Sequence, residues 1–250
     1  MSGNLAGKVA IVTGGGGGIG SATGERLARA GAAVALADLH LDAAEAAAER
    51  LRGQGFTARA FRTDMESVDS IRTLAADTMA AFGRIDILHN NAVLNDPVIY
   101  PQDTTLADMN VEHWDKIFAV NTRGPMLMSQ AVIPHMIAQG GGVIINMSSG
   151  ASTKGLPDML TAYGASKGAL NTLTLYSAAQ LGKHNIRVNA LVCGAILTPS
   201  LQKLFTKEQV TAMESSNLLG RSTMAEDVAN LVCFLASDEA RQITGQLYPI

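Results

Sequence analysis

Lys8-Val9-Ala10-Ile11-Val12-Thr13-Gly14-Gly15-Gly16-Gly17-Gly18-Ile19-Gly20 is the stretch whose reading decides the fold. Its first six residues form an apolar, β-branched run of strand length. A run of glycines follows, and from Ile19 to Ala30 the pattern is helical until Gly31. A glycine turn between a strand and a helix lets the backbone approach a ligand closely, because no Cβ stands in the way. The helix start then offers free N–H groups and the positive end of a dipole, a combination that holds a pyrophosphate. The tract satisfies both GxGxxG from Gly15 and GxxxGxG from Gly14. Glycine tracts also serve as flexible linkers, and it is the flanking strand and helix that speak against that here.

Working outward, short apolar runs alternate with helical stretches to the end of the chain. Strands are predicted at 33–37, 58–62, 85–89, 143–147, 186–192 and 243–248. Helices are predicted at 41–52, 67–82, 111–138, 161–181, around 203–216 and at 225–236, with Pro125 and Pro134 starting, kinking or ending parts of 111–138. Continuous apolar strands separated by helices imply a parallel sheet covered on both faces. The expectation is an α/β fold: one doubly wound, Rossmann-like sheet of about seven strands. No linker or repeat divides the chain, so residues 1–250 are read as one domain, with a substrate lid at about 195–220.

The 250 residues carry 19 basic and 22 acidic side chains, a net charge of −3, and 47% are hydrophobic. That balance opposes a disordered chain, and the absence of a basic run opposes nucleic acid or an anionic membrane as partner. The first residues do not read as a signal peptide, and no apolar run is long enough to span a bilayer. Cys193 and Cys233 form no CxxC pair, so the chain is expected to be cytoplasmic with reduced thiols.

The second predicted strand runs into Asp38. A carboxylate there can accept both hydroxyls of an adenosine ribose and would repel a 2′-phosphate. No basic residue stands in the glycine tract or at Leu39, so NAD is expected rather than NADP. Opening the following turn is the plainer role for Asp38. Further on, Tyr163 and Lys167 stand at i and i+4 near the start of a predicted helix, on one face. A neighbouring ammonium stabilises a phenolate and makes the tyrosine a usable base. In isolation this spacing equally describes a solvated helix face.

The residues Thr13-Gly14, Gly18-Ile19-Gly20, Asn90-Asn91-Ala92, Asn121, Asn146-Met147-Ser148-Ser149, Tyr163, Lys167, Arg187-Val188-Asn189-Ala190 and Thr244-Gly245-Gln246 occur in this order. In them the chain resembles the short-chain dehydrogenase/reductase family, in its single-domain form, over nearly the whole length. The resemblance implies reversible oxidation of a secondary alcohol to a ketone. It implies Tyr163 as general acid/base, Lys167 on the nicotinamide ribose, Ser149 on the substrate oxygen and Asn121 holding a water of a proton relay. Gly14, Gly18, Ile19, Gly20, Asp38, Asp64, Met65, Asn91, Ile196 and Thr198 would join Tyr163 and Lys167 in holding the cofactor. A homotetramer is implied as well.

The chain departs from the family pattern in four places. Val93 replaces a glycine, Cys193 replaces a proline before Gly194, and one extra residue separates Ser149 from Tyr163, which keeps Ser148 and Ser152 as alternatives. The chain also ends at Leu247-Tyr248-Pro249-Ile250 without the family's Asp-Gly-Gly tail, which bears on contacts between subunits.

The five histidines (His40, His89, His113, His135, His184) make no HExxH or paired set, so no metal site is expected. His89 reads as a satisfied, partly buried ring, and no GxSxG elbow supports a hydrolase. Cys193 reads as a small packing residue, with a reactive thiol as the alternative. Leu94, Leu156, Met159, Leu201, Leu204, Phe205 and Met213 suggest an apolar substrate, while Lys154 and Lys203 are the cations in reach of a charged one.

Overall fold

The structure, a computed structural model, describes residues 4–94, 102–198 and 206–250. Seven strands form one parallel sheet in the order β3-β2-β1-β4-β5-β6-β7. They are β1 Val9–Thr13, β2 Ala33–Asp38, β3 Ala58–Arg62, β4 Ile87–Asn90, β5 Gly142–Ser149, β6 Ile186–Cys193 and β7 Leu247–Pro249. The helices are α1 Gly18–Arg29, α2 Leu41–Gly53, α3 Val68–Phe82, α4 Val111–Phe118, α5 Gly124–Ala138, α6 Thr161–Leu181, α7 Lys207–Ser216 and α8 Ala225–Ala236.

Successive strand residues point to opposite faces, and β1 shows the consequence. Ala10 and Val12 join Leu27, Leu36, Val228 and Val232 in the core under α1, α2 and α8. Ile11 joins Leu74, Met128, Met136, Ile144 and Val188 under α3, α5 and α6. With both faces covered, inner strands must be apolar on both sides, which is why they read as unbroken apolar runs.

Local chemistry fixes the helix ends. The Ser67 hydroxyl accepts from the Ser70 amide before α3, which ends at Gly83 with φ +78°. Asn110 caps α4, and Thr206 with Gln209 forms a reciprocal cap on α7.

Two of these expectations change in detail. The predicted helix 111–138 is helical throughout, with α4 and α5 joined by a π turn, Ala119–Arg123. Pro125 lies in the first turn of α5, directly after the π turn, and Pro134 lies inside α5. The last strand is Leu247–Pro249 rather than 243–248, because residues 243–246 turn onto β6 instead: the Gly245 amide donates to the Val188 carbonyl and the Gln246 amide to Asn189 Oδ1. Of the predicted lid, α7 begins at Lys207; Pro199, Leu201, Lys203, Leu204 and Phe205 lie outside the described residues. No helix among the described residues is long and apolar enough to cross a membrane.

Candidate active site

The strand order reverses between β1 and β4, so their carboxyl ends open a crevice, the place where open α/β sheets bind ligands. Thr13 ends β1 there. Its hydroxyl accepts from the amides of Asn91 and Ala92, and Asn91 Nδ2 donates to the Thr13 and Gly14 carbonyls. Asn91 thus clamps the glycine turn to the end of β4.

The turn has no room for side chains. Gly14 has φ +66°, and a Cβ on it would lie 2.9 Å from Asn91 Nδ2. A Cβ on Gly20 would run into the Gly14 carbonyl, and one on Gly16 would lie 2.7 Å from Ala43 Cβ. Gly17, in the N-cap position of α1, offers no side chain to the first amides of the helix. A close-approaching backbone with an uncapped helix start fits a pyrophosphate. Gly18 and Ile19 open that helix.

Asp38 closes the far side of the crevice. Its Oδ2 accepts from the Gly16 amide at 3.0 Å and its Oδ1 from the His40 amide at 3.0 Å. The carboxylate therefore shapes the glycine turn and opens the turn after β2, while each oxygen keeps a further lone pair. Beyond β3, Asp64 Oδ1 accepts from the Glu66 amide, and Met65 is buried, with a Cβ on Gly124 placed 3.0 Å from its carbonyl. Ile196 is buried and bridges to Thr223, and the Thr198 amide donates to the Ile196 carbonyl.

The second half of the site lies where β5 and α6 meet. Lys167 is 3% exposed, and its Nζ donates to the Met147 carbonyl at 2.7 Å. The same ammonium lies 5.6 Å from the centroid of the Tyr163 ring. Burial pulls the Lys167 pKa down to about 8, against a smaller opposing influence of Cys193. Burial likewise pushes the Cys193 thiol up to about 12, offset in part by Lys167. Cys193 is therefore a buried, protonated packing residue beside the lysine, opposite Ser149 in the strand register.

Of the three candidate serines, Ser148 is buried and donates to the Lys167 carbonyl at 3.3 Å. Ser152 donates to the Ser149 carbonyl at 2.5 Å and accepts from Asn171 Nδ2 at 2.8 Å. Ser149, at the end of β5, is partly exposed, as is Ser152, and its hydroxyl accepts from the Ala151 amide. Asn121 is fully buried within the π turn, an irregularity that recurs at functional sites. Its Oδ1 accepts from the Leu94 amide at 2.9 Å and its Nδ2 donates to Ser166 Oγ at 3.4 Å. The side chain is thus committed to the loop after β4 and to α6.

Three features escaped the sequence reading. Thr13 joins the two strand ends through its hydroxyl. Asn171 follows Tyr163 and Lys167 on one face of α6 and braces Ser152. Asp103, 3% exposed, accepts from the first amides of α6 through both carboxylate oxygens. Helical spacing from Tyr163 could have found Asn171; nothing local to α6 points to Asp103.

His89 also differs from expectation. The ring is fully buried, and neither nitrogen finds a partner among the described residues. Burial lowers its pKa to about 3, so the ring stays neutral. Among the described residues no three His, Cys, Asp or Glu side chains gather as metal ligands. Leu156 and Met159 are half-exposed in the segment before α6; the Met213 side chain lies outside the description.

Known proteins are similar to this chain in sequence and fold. Residues 14–250 match the family described as enoyl-(acyl carrier protein) reductase. A probable galactose dehydrogenase of Rhizobium meliloti is 37% identical over 94% of this chain and 90% of its own. A 3-oxoacyl-[acyl-carrier-protein] reductase of Thermotoga maritima is 36% identical over 98% of this chain and 97% of its own. Among solved structures, a 7α-hydroxysteroid dehydrogenase complexed with NADH and 7-oxo glycochenodeoxycholic acid superposes with a TM-score of 0.92 at 34% identity, covering 99% of this chain and 94% of that one. With a matching family profile, relatives above 30% identity along nearly the whole chain and the same sheet, the chain belongs to the short-chain dehydrogenase/reductase family, a family of oxidoreductases that act on alcohols.

Proposed function

We propose that this protein interconverts a secondary alcohol and a ketone with NAD, using Tyr163 as general acid/base. The observation that carries the reading is the placement of a buried ammonium, Lys167, 5.6 Å from the Tyr163 ring at the end of β5 where Ser149 stands. The crevice beside it has the glycine turn, uncapped helix start and acid expected of a dinucleotide site.

A nicotinamide held there would accept the hydride from the carbinol carbon. This chain's own part is the proton and the geometry. Tyr163 as phenolate takes the hydroxyl proton in oxidation and returns it in reduction. The Ser149 hydroxyl holds the substrate oxygen. Lys167, fixed by the Met147 carbonyl, lowers the cost of the phenolate and reaches the ribose hydroxyls. Asn121, its side chain engaged by Leu94 and Ser166, is held within the π turn, where it would hold a relay water.

Gly14, Gly18, Ile19, Gly20, Asp38, Asp64, Met65, Asn91, Ile196 and Thr198 line the cofactor's path, all within one domain, and an apolar substrate enters beside Leu156 and Met159. The exposed apolar side chains of Val111, Met126, Leu175 and Tyr176 on α4, α5 and α6 support burial between subunits of a homotetramer, and we place the protein in the cytoplasm. An NADPH-dependent ketoacyl reductase is the competing reading, favoured by the Thermotoga relative and opposed by Asp38. A panel of secondary alcohols (cyclohexanol, 1-phenylethanol, a hydroxysteroid) offered with NAD and with NADP, followed by absorbance of the reduced cofactor, tests both. Turnover with NADP alone refutes the NAD assignment, and no turnover with any pair would leave an inactive relative.

A further inference from the structure

We propose that Asp103 is a positioning residue for Tyr163, holding the acid/base side chain in place through the backbone of α6; the inference rests on the reading of Tyr163 given above. Asp103 is buried in the segment leading to α4, far from α6 in sequence. Its Oδ1 accepts from the Ala162 amide and its Oδ2 from the Tyr163 amide, both at 2.8 Å. Its own carbonyl accepts from the Leu160 amide at 2.8 Å, and the Thr104 carbonyl accepts from the Thr161 hydroxyl at 2.7 Å.

The helix needs this outside help. The N-cap position is occupied by Leu160, which has no side-chain acceptor and sits at φ +63°, a left-handed conformation that a leucine rarely adopts. Such a conformation persists only when its surroundings impose it. Here they do: consecutive residues of α6's start are tied to Asp103 and Thr104. A carboxylate against free amides at the positive end of a helix is the strongest form such a tie takes.

The consequence for chemistry follows from who holds whom. Lys167 is fixed from β5, through the Met147 carbonyl. Tyr163 is fixed from the opposite side, by the bond from its own amide to Asp103. The separation of ammonium and ring depends on both anchors, and a displacement of about 1 Å at such a site can cost on the order of a hundredfold in rate. The glycine turn, Asp38 and the Met147 anchor of Lys167 are untouched by this anchor, so NAD affinity is expected to fall far less than kcat.

The test is a double-mutant cycle with Tyr163, run on the intact protein with NAD and the best alcohol of the panel. Asp103→Ala is expected to lower kcat by roughly ten- to a hundredfold while the KM for NAD stays within about twofold. Asp103→Asn, which keeps one acceptor oxygen, is expected to fall between. In a Tyr163→Phe background, Asp103→Ala is expected to change the residual rate by less than about twofold, because its effect passes through the phenol. A cap that only supports the fold would lower the melting temperature and leave kcat per folded molecule intact, or would lower the rate equally in both backgrounds; either result overturns the inference. If Asp103→Ala does not accumulate as folded protein, Asp103→Asn carries the same cycle. Near-native turnover in Tyr163→Phe alone would sink the acid/base reading itself, and that single variant shows it before the cycle is closed.

Discussion

The Lys167 ammonium is held between the Met147 carbonyl, 2.7 Å away, and the face of the Tyr163 ring, 5.6 Å to its centroid. Burying that charge is unfavourable and pulls its pKa down to about 8; on the proposed reading the same charge assists ionisation of the Tyr163 phenol. Lys167→Met is expected to weaken NAD affinity and to move the rising limb of the oxidative pH profile to higher pH, since the phenolate loses its counter-charge. An unmoved limb with weakened affinity alone would remove the tuning role and leave the ribose contact.

The same substitution is expected to stabilise the fold. Lysine's folded pKa lies below its ordinary value near 10.5, so the unfolded chain binds more protons between about pH 8 and 10.5. The folded state therefore bears its full penalty below pH 8 and loses it as pH rises through that window. Lys167→Met should raise the melting temperature at pH 7 and do so much less at pH 10.5, the trade of stability for activity seen at many active sites. An equal rise at both pH values would mean that burial of the charge is not the cause.

His89 presents the acid-side counterpart. Its pKa falls from about 6.5 to about 3 by burial alone, so below pH 6.5 the unfolded chain takes up a proton that the folded chain refuses. Stability is then lost as pH falls, by about 1.4 kcal/mol per unit, until about pH 3. Urea midpoints of wild type and His89→Leu at pH 7 and pH 4.5 should diverge less steeply in the variant. Parallel slopes would show that other groups carry the acid sensitivity.

Most of the sheet was legible because strands covered on both faces read as short apolar runs, as Val9–Thr13 and Ala33–Asp38 do. The helical faces of Tyr163 and Lys167 were legible for a similar reason: spacing fixes them. What stayed hidden depends on contacts between distant segments. The π turn at Ala119–Arg123 has no residue signature in a stretch that is helical by pattern. Asp103 caps a helix from outside the few positions where a cap is sought, and His89 gives no sign in sequence that neither of its nitrogens finds a partner among the described residues. The last strand was started too early, at Ile243, because the bonds of Thr244 and Gly245 to β6 that hold these residues in a turn leave no mark in the sequence.

The glycine turn makes a paired prediction. Gly20→Ala drives a Cβ into the Gly14 carbonyl, backbone that cannot give way without moving the turn, and should abolish NADH binding measured by fluorescence. Gly53→Ala, at the end of α2 with nothing within 4 Å, should leave binding unchanged and stabilise the protein by about 0.5–1 kcal/mol. If Gly20→Ala binds NADH normally, the cofactor does not depend on that turn.

Cofactor choice is the last prediction, and the structure changes how it must be tested. Asp38 both faces the crevice and accepts from the Gly16 and His40 amides, so Asp38→Ala removes a charge and two anchors of the turn at once. Affinity for either cofactor would fall, and a lost preference for NAD could be mistaken for a lost fold of the loop. Asp38→Asn keeps an acceptor oxygen and removes only the charge. Two unit charges 4 Å apart cost about 4 kcal/mol at an effective dielectric near 20, close to a thousandfold in affinity, so this variant alone should narrow the preference against NADP considerably. Leu39 is 48% exposed, which leaves room for an arginine to reach a 2′-phosphate from the same edge. Asp38→Asn with Leu39→Arg should then raise kcat/KM with NADP strongly and lower it with NAD, since the ribose hydroxyls keep a weaker acceptor. Wild-type protein that uses NADP as well as NAD, or a double variant with unchanged preference, would show that Asp38 shapes the turn and does not read the ribose.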